Sequence, residues 1–245
     1  MKIIGISGRK QSGKNTAANY INGVILQDLQ MINDFFINDD GQLVIKTSDA
    51  NGNDGYGVLD VTRKDNEFVT YAEKELWPYV KIYHFADVLK ELAINIFNFT
   101  PSQVYGTDHD KNTLTQIKWE DAPCNNDKSG YMTSREFLQY FGTSIVRKLY
   151  HNAWVNSTLN KLLVEQPKLA IIPDVRFPNE VEAIKKNGGI VIRLTRNTEN
   201  SDHESEKALD ESNYDWTNFD SVIDNKDITI KEFCDKLHGT QNLWK

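Results

Sequence analysis

Cysteine is nearly missing: the chain of 245 residues has two, Cys124 and Cys234. Two thiols cannot build a disulfide framework or a four-thiolate zinc site, so a reduced, cytoplasmic setting is expected. Long apolar runs are missing too. None approaches the ~20 residues of a membrane helix. The opening MKIIGISGRK carries too short an apolar run for a secretory leader. Positive charge is in deficit, with 28 Lys and Arg against 35 Asp and Glu, a net charge of -7. That balance argues against broad nucleic-acid or anionic-membrane binding, while allowing a local basic pocket. No segment repeats another, which excludes a solenoid or propeller. What is present is 39% apolar and 26% charged residues, the composition of a globular chain with a real core.

Five short apolar runs read as buried strands: 2–7, 80–86, 168–176, 189–196 and 220–225. Helical periodicity fills the spaces between them, at 13–30, 87–99, 134–150, 154–166, 178–188 and 229–244. Thr133 with Glu136 forms a capping signature, and Pro101 suits a first helical turn. Strands alternating with helices give an α/β fold with a mostly parallel five-stranded sheet. One domain over 1–245 is the economical count. Residues 38–80 change character, with Gly, Asn and Asp around LVIKT, YGVLDVT and EFVTYA. They read as small antiparallel strands in an inserted β-rich subdomain closed on itself, packed by Tyr56, Tyr71 and Trp77. Residues 106–131 read as polar and irregular, and about 196–217 as an acidic lid. Arg147 and Lys148 fall on a solvated helix face.

The strongest local signal is Gly8-Arg9-Lys10-Gln11-Ser12-Gly13-Lys14-Asn15-Thr16, between a strand and a helix. Glycines let the backbone curl until its N–H groups face one anion, and the helix N-terminus adds partial positive charge. Lys14 is placed to bridge the β- and γ-phosphates of a nucleoside triphosphate. The usual Ser or Thr after the lysine is here Asn15, with Thr16 next. An amide oxygen can still ligate magnesium, so Asn15 is the metal candidate.

Four blocks in order carry a more specific pattern: GISGRKQSGKNT (5–16), FADVLKELA (85–93), SREFLQYFGTSIVRK with Trp154, and IIPDVRFPNEVEAIKKNGGIVIRLTR with SDHESE (171–206). The chain resembles the phage deoxynucleoside monophosphate kinases, a branch of the P-loop nucleoside monophosphate kinases. The resemblance implies a three-layer P-loop kinase fold with a lid. It implies phosphorylation of a deoxynucleoside monophosphate (dNMP) by ATP with Mg²⁺ in a host cytoplasm. Nucleic acid and membrane have no part in that reaction, and a homodimer is left open. By the same resemblance, Lys14, Arg135, Asp174 and Arg176 are the catalytic candidates. Gly8, Ser12, Gly13, Lys14, Asn15, Thr16 and Arg196 hold ATP. Lys10, Arg135, Gln139, Trp154, Asp174, Arg176, Glu180, His203 and Glu206 serve the acceptor or the lid.

The residues support this chemistry independently. A monophosphate is already ionised near neutrality and needs no nucleophilic triad. Catalysis then consists of aligning two phosphates and neutralising charge, which calls for cations from several elements. Plainer readings stand beside these: a local ion pair for Asp174–Arg176, a solvated charge for Arg135, a core position for Trp154 and a structural partner for Arg193. Two other functions compete, a small-molecule kinase resembling dephospho-coenzyme A kinase and a nucleotide-binding module without turnover.

Overall fold

Buried runs of branched residues favour parallel pairing, because both faces of such strands are covered. In the computed structural model the strands are, in chain order, β1 (Lys2–Ser7), β2 (Phe35–Ile37), β3 (Leu43–Ser48), β4 (Asp54–Val58), β5 (Val80–Ile82), β6 (Leu114–Lys118), β7 (Tyr131–Thr133), β8 (Leu169–Val175), β9 (Ile190–Leu194) and β10 (Ser221–Ile223). The helices are α1 (Lys14–Asp28), α2 (Asn66–Glu75), α3 (Asp87–Asn95), α4 (Pro101–Tyr105), α5 (Asp108–Lys111), α6 (Ser134–Gln139), α7 (Ala153–Glu165), α8 (Pro178–Lys186), α9 (Glu204–Lys207), α10 (Ile230–His238) and α11 (Gln241–Trp244). The structure describes residues 1–48, 51–123, 128–196 and 203–245. Cys124 and the first part of the expected lid, 197–202, lie outside the described residues. Contacts divide the chain into two units, Met1–His84 with Leu159–Lys245, and Phe85–Thr158.

The first unit carries the parallel sheet, in the order β10-β9-β1-β8-β5. These are the five strands expected from the apolar runs. β1 is central, with Ile3, Ile4 and Ile6 all at most 2% exposed. β8 and β5 lie on one side of it, β9 and β10 on the other, so the strand order reverses beside β1. In open α/β sheets, ligands bind outside the carboxyl ends of the strands at such a reversal. There Ser7 pairs with Val175 of β8 and with Arg193 of β9.

Helix α1 leaves that same edge. It is buried on several sides, through Ala17, Ala18, Tyr20, Ile21, Val24 and Leu26. Gly23 is where the antiparallel sheet β2-β3-β4 lies against it. A Cβ there would come within 2.6 Å of the Phe35 ring and 2.8 Å of Leu43. Asn19 Nδ2 also donates to Gly41 O at 2.9 Å.

Residues 38–80 therefore differ from the expected self-contained β-rich insertion. Their first half is the small sheet, but EFVTYA is helical, within α2. Asp65 caps α2 by accepting from the Phe68 N–H. Phe68 and Ala72, four residues apart, face inward and join Leu76 and Val80 in the main core. Tyr56 and Tyr71 do not pack the insertion; they are 57% and 53% exposed. Trp77 does pack, edge-on to Phe68 and beneath the Lys81 ammonium.

The second unit has its own core of Ala93, Phe99, Val104, Trp119, Met132, Phe137 and Tyr140. The 106–131 stretch is more regular than its polarity suggested. It supplies α5, β6 and the buried Trp119, and β6 pairs antiparallel with β7. The expected Thr133–Glu136 capping box forms, and Pro101 opens α4 as expected, behind a Thr100 cap. The expected continuous helix 134–150 instead passes from α6 into a π-helical stretch, Tyr140–Arg147. Arg147 ends that stretch buried, at 8% exposure, rather than on a solvated face.

Candidate active site

The loop between β1 and α1 is shaped by its small residues. Gly13 caps α1 with φ 92°, a left-handed conformation that a side chain would strain. A Cβ on Gly8 would meet Ser12 Oγ at 2.3 Å, so the loop closes on itself only with glycine there. Lys14 is 8% exposed. Its Nζ donates to Gly8 O at 2.8 Å and Arg9 O at 2.5 Å, with Ser12 Oγ at 3.4 Å. Burial, aided by the nearby charges of Arg176 and Arg193, holds the Lys14 pKa well below the ordinary lysine value, and Asp174 opposes them.

Asn225, Asp210 and Arg193 brace the loop and the end of β1 from outside. Asn225, 4% exposed after β10, donates from Nδ2 to Ser12 O at 2.7 Å and accepts from the Arg196 N–H at 2.9 Å. Arg9 grips Asp210 with both Nε, at 3.0 Å, and an amino nitrogen. That contact raises the Arg9 pKa, against burial. Arg193 is 5% exposed. It donates to Ser7 Oγ at 2.9 Å, approaches Asp210 at 3.5 Å and stacks 5.3 Å from the Trp216 ring centroid. Burial pulls its pKa down to about 10, against Asp210 and with Arg9. A cavity of about 270 Å³ lies between Arg9, Arg193, Arg196, Asp210 and Trp216.

At the end of β8, Glu180 holds the chain by accepting from the Arg176 N–H at 2.7 Å and the Phe177 N–H at 3.1 Å. The Arg176 guanidinium pairs with Glu206, whose other oxygen accepts from the Lys10 N–H at 2.6 Å. His203 caps α9, accepting from the Ser205 N–H through Nδ1. Among the described residues no group of three or more His, Cys, Asp or Glu could hold a metal ion. No described helix is long and apolar enough to cross a membrane.

A glycine-bounded loop between a strand and a helix, closed around a buried lysine, is shared by many proteins. A narrower observation decides the family. The model of the family described as "Deoxynucleotide monophosphate kinase" matches residues 2–237. The chain belongs to that family. It is 31% identical over 168 residues to a protein of Acanthamoeba polyphaga mimivirus provisionally named a deoxynucleotide monophosphate kinase, covering 62% of this chain and 78% of that one. It is 28% identical over 117 residues to the deoxynucleoside-5'-monophosphate kinase of Escherichia phage T5, covering 43% and 47%.

Of the residues marked from the sequence of this family member, Gly8, Lys10, Ser12, Gly13, Lys14, Asn15, Thr16, Asp174, Arg176, Glu180, Arg196, His203 and Glu206 lie in the first unit. Arg135, Gln139 and Trp154 lie in the second. Arg135 is the second residue of α6 and donates to Asn112 Oδ1 at 3.1 Å and Asp108 Oδ1 at 2.7 Å, at the two ends of α5. Gln139 is half-buried at the end of α6. Trp154 is 6% exposed and donates from Nε1 to Gly142 O at 3.1 Å. Arg9, Asp210 and Asn225 were missed. Asn225 carries a faint signal, a polar residue closing a strand run. Arg9 and Asp210 are 201 positions apart and carry none.

Proposed function

We propose that the chain transfers a phosphoryl group from ATP to a deoxynucleoside monophosphate. The observation that carries this reading is the buried Lys14 ammonium, held inside the loop by the Gly8 and Arg9 carbonyls and within the electrostatic reach of Arg176, Arg193 and Asp174. Such a site neutralises charge rather than activating a nucleophile, as transfer between two phosphates requires. Lys14, the N–H groups of 8–16 and Arg196 hold ATP. Lys10, Arg135 and Arg176 take the monophosphate, and Asp174 orients the cations. Gln139 and Trp154 serve the base. Glu180 fixes the backbone that carries Arg176. Glu206 and His203 belong to the lid.

Mg²⁺ takes one or two protein oxygens and fills its shell with phosphate and water. The exposed Asn15 amide oxygen on the first turn of α1 and the Asp174 carboxylate are donors of that kind. When bound, the ion would neutralise charge on the donor phosphates. The reaction needs only small molecules, in keeping with a host-cytoplasm enzyme, and a homodimer is compatible with it.

The direct test is ADP formation from ATP with each common dNMP and NMP, and with dephospho-coenzyme A as the competing acceptor. Turnover confined to dephospho-coenzyme A, or ATP binding with no acceptor-stimulated ADP, overturns the reading. A residue-level test follows from Arg135. A guanidinium grips phosphate oxygens with two parallel hydrogen bonds, and lysine cannot. Arg135→Lys is expected to raise the dNMP KM strongly and to leave the ATP Kd within a small factor. Separate titrations of ATP and dNMP check this, and a weakened ATP Kd with unchanged dNMP KM would place Arg135 on the donor side.

A further inference from the structure

We propose that Glu206 and a bound phosphate compete for one anionic subsite, formed by the Lys10 backbone N–H and the Arg176 guanidinium. The inference rests on the proposed phosphate roles of the loop and of Arg176. Glu206 is 8% exposed. One of its oxygens accepts from the Lys10 N–H at 2.6 Å, and the other pairs with Arg176. Carboxylate and phosphate oxygens are equivalent acceptors for such donors, and charge-assisted bonds to either are strong. A single N–H at this distance serves one anion at a time. Phosphate oxygen on the Lys10 N–H therefore excludes the Glu206 contact, and the Glu206 contact excludes phosphate.

A second carboxylate close by supports this. Asp210 lies just past the C-terminal end of α9, in the turn that follows it. Asp210 takes both ends of the Arg9 fork and approaches Arg193. One short acidic segment thus places two negative charges on cationic or N–H groups of the loop and of the adjacent strand ends. A nucleotide brings charge of the same sign to the same groups. Displacement of Glu206, and of the segment carrying it, is then part of phosphate binding.

Pyrophosphate is the probe, because its binding is read without turnover. A chain that phosphorylated no dNMP would sink the proposed function yet leave this test standing. Glu206→Gln keeps the shape and removes the charge. It is expected to tighten pyrophosphate binding about three- to tenfold by calorimetry, since like-charge repulsion at contact is lost, and to lower the dNMP KM in the same direction. Unchanged or weaker binding in a folded variant overturns the proposal and makes Glu206 a positioning residue for Arg176. Should that variant fail to fold, amide exchange on the unaltered protein decides. Saturating pyrophosphate is expected to speed exchange across 204–210. Slower or unchanged exchange there overturns the competition.

Discussion

Replacing Lys14 by alanine is expected to lower turnover by about 10²–10³-fold, the usual loss when one preorganised charge-stabilising group is removed, worth about 2.7–4 kcal/mol. The ammonium is buried, and its hydrogen-bond partners are two loop carbonyls and the Ser12 hydroxyl. Its charge is therefore available to a phosphate in a setting where water screens little. Loss in kcat is expected to exceed any change in dNMP KM, because the interaction grows as charge develops on the transferring group. The substitution also leaves the Gly8 and Arg9 carbonyls without that donor, so thermal unfolding must be followed alongside activity. A folded Lys14→Ala protein with near-normal kcat would remove the loop from the chemistry. The wild-type pH profile adds a signed check. Burial and neighbouring cations favour neutral Lys14, so its protonated form is lost at lower pH than for an exposed lysine, and activity should fall correspondingly early on the alkaline side.

Excising residues 38–80 and bridging the gap with a short linker is expected to abolish cooperative unfolding. The composition of this segment points the other way, toward a flap that closes on itself. Yet Phe68, Ala72, Leu76 and Val80 all belong to the main core, beside Ile4, Ile21 and Ile171. Truncating one buried phenylalanine alone costs about 3–5 kcal/mol. Whole domains are stable by only about 5–15 kcal/mol. The excision also removes the start of β5, whose Val80 pairs with Leu169 of β8. Urea denaturation followed by circular dichroism reads the result. A single sharp transition with retained ATP binding would show that the sheet and α1 stand without this segment.

The parallel sheet was legible because its strands are contiguous buried runs, and continuous burial leaves its mark in consecutive residues. Helix α2 was not, because Phe68, Val69, Thr70 and Tyr71 are aromatic or β-branched and favour strands when taken alone. What decides there is the Asp65 cap and the inward pair Phe68 and Ala72, both tertiary and capping effects. Arg147 was misplaced for a different reason. A face assigned at 3.6 residues per turn drifts once hydrogen bonds run i to i+5, and the stretch from Tyr140 does so. The loop was legible as a local pattern. Its braces were not, since Asp210 and Asn225 reach Arg9 and Ser12 from about two hundred positions away.

Helix α1 begins at the phosphate loop, packs the small sheet at Gly23, and meets α10 through Tyr20 OH and His238 Nδ1 at 3.0 Å. One rigid rod therefore shares its free energy of ordering among the loop, the small sheet and the C-terminal helix. A ligand held at its N-terminus contributes mass-action stabilisation, about 2.7 kcal/mol at a hundredfold excess over Kd. Because these parts are built on one helix, that stabilisation is expected to be distributed across the first unit: a ligand bound at the loop should slow unfolding of β2, β3 and α10 along with the loop itself.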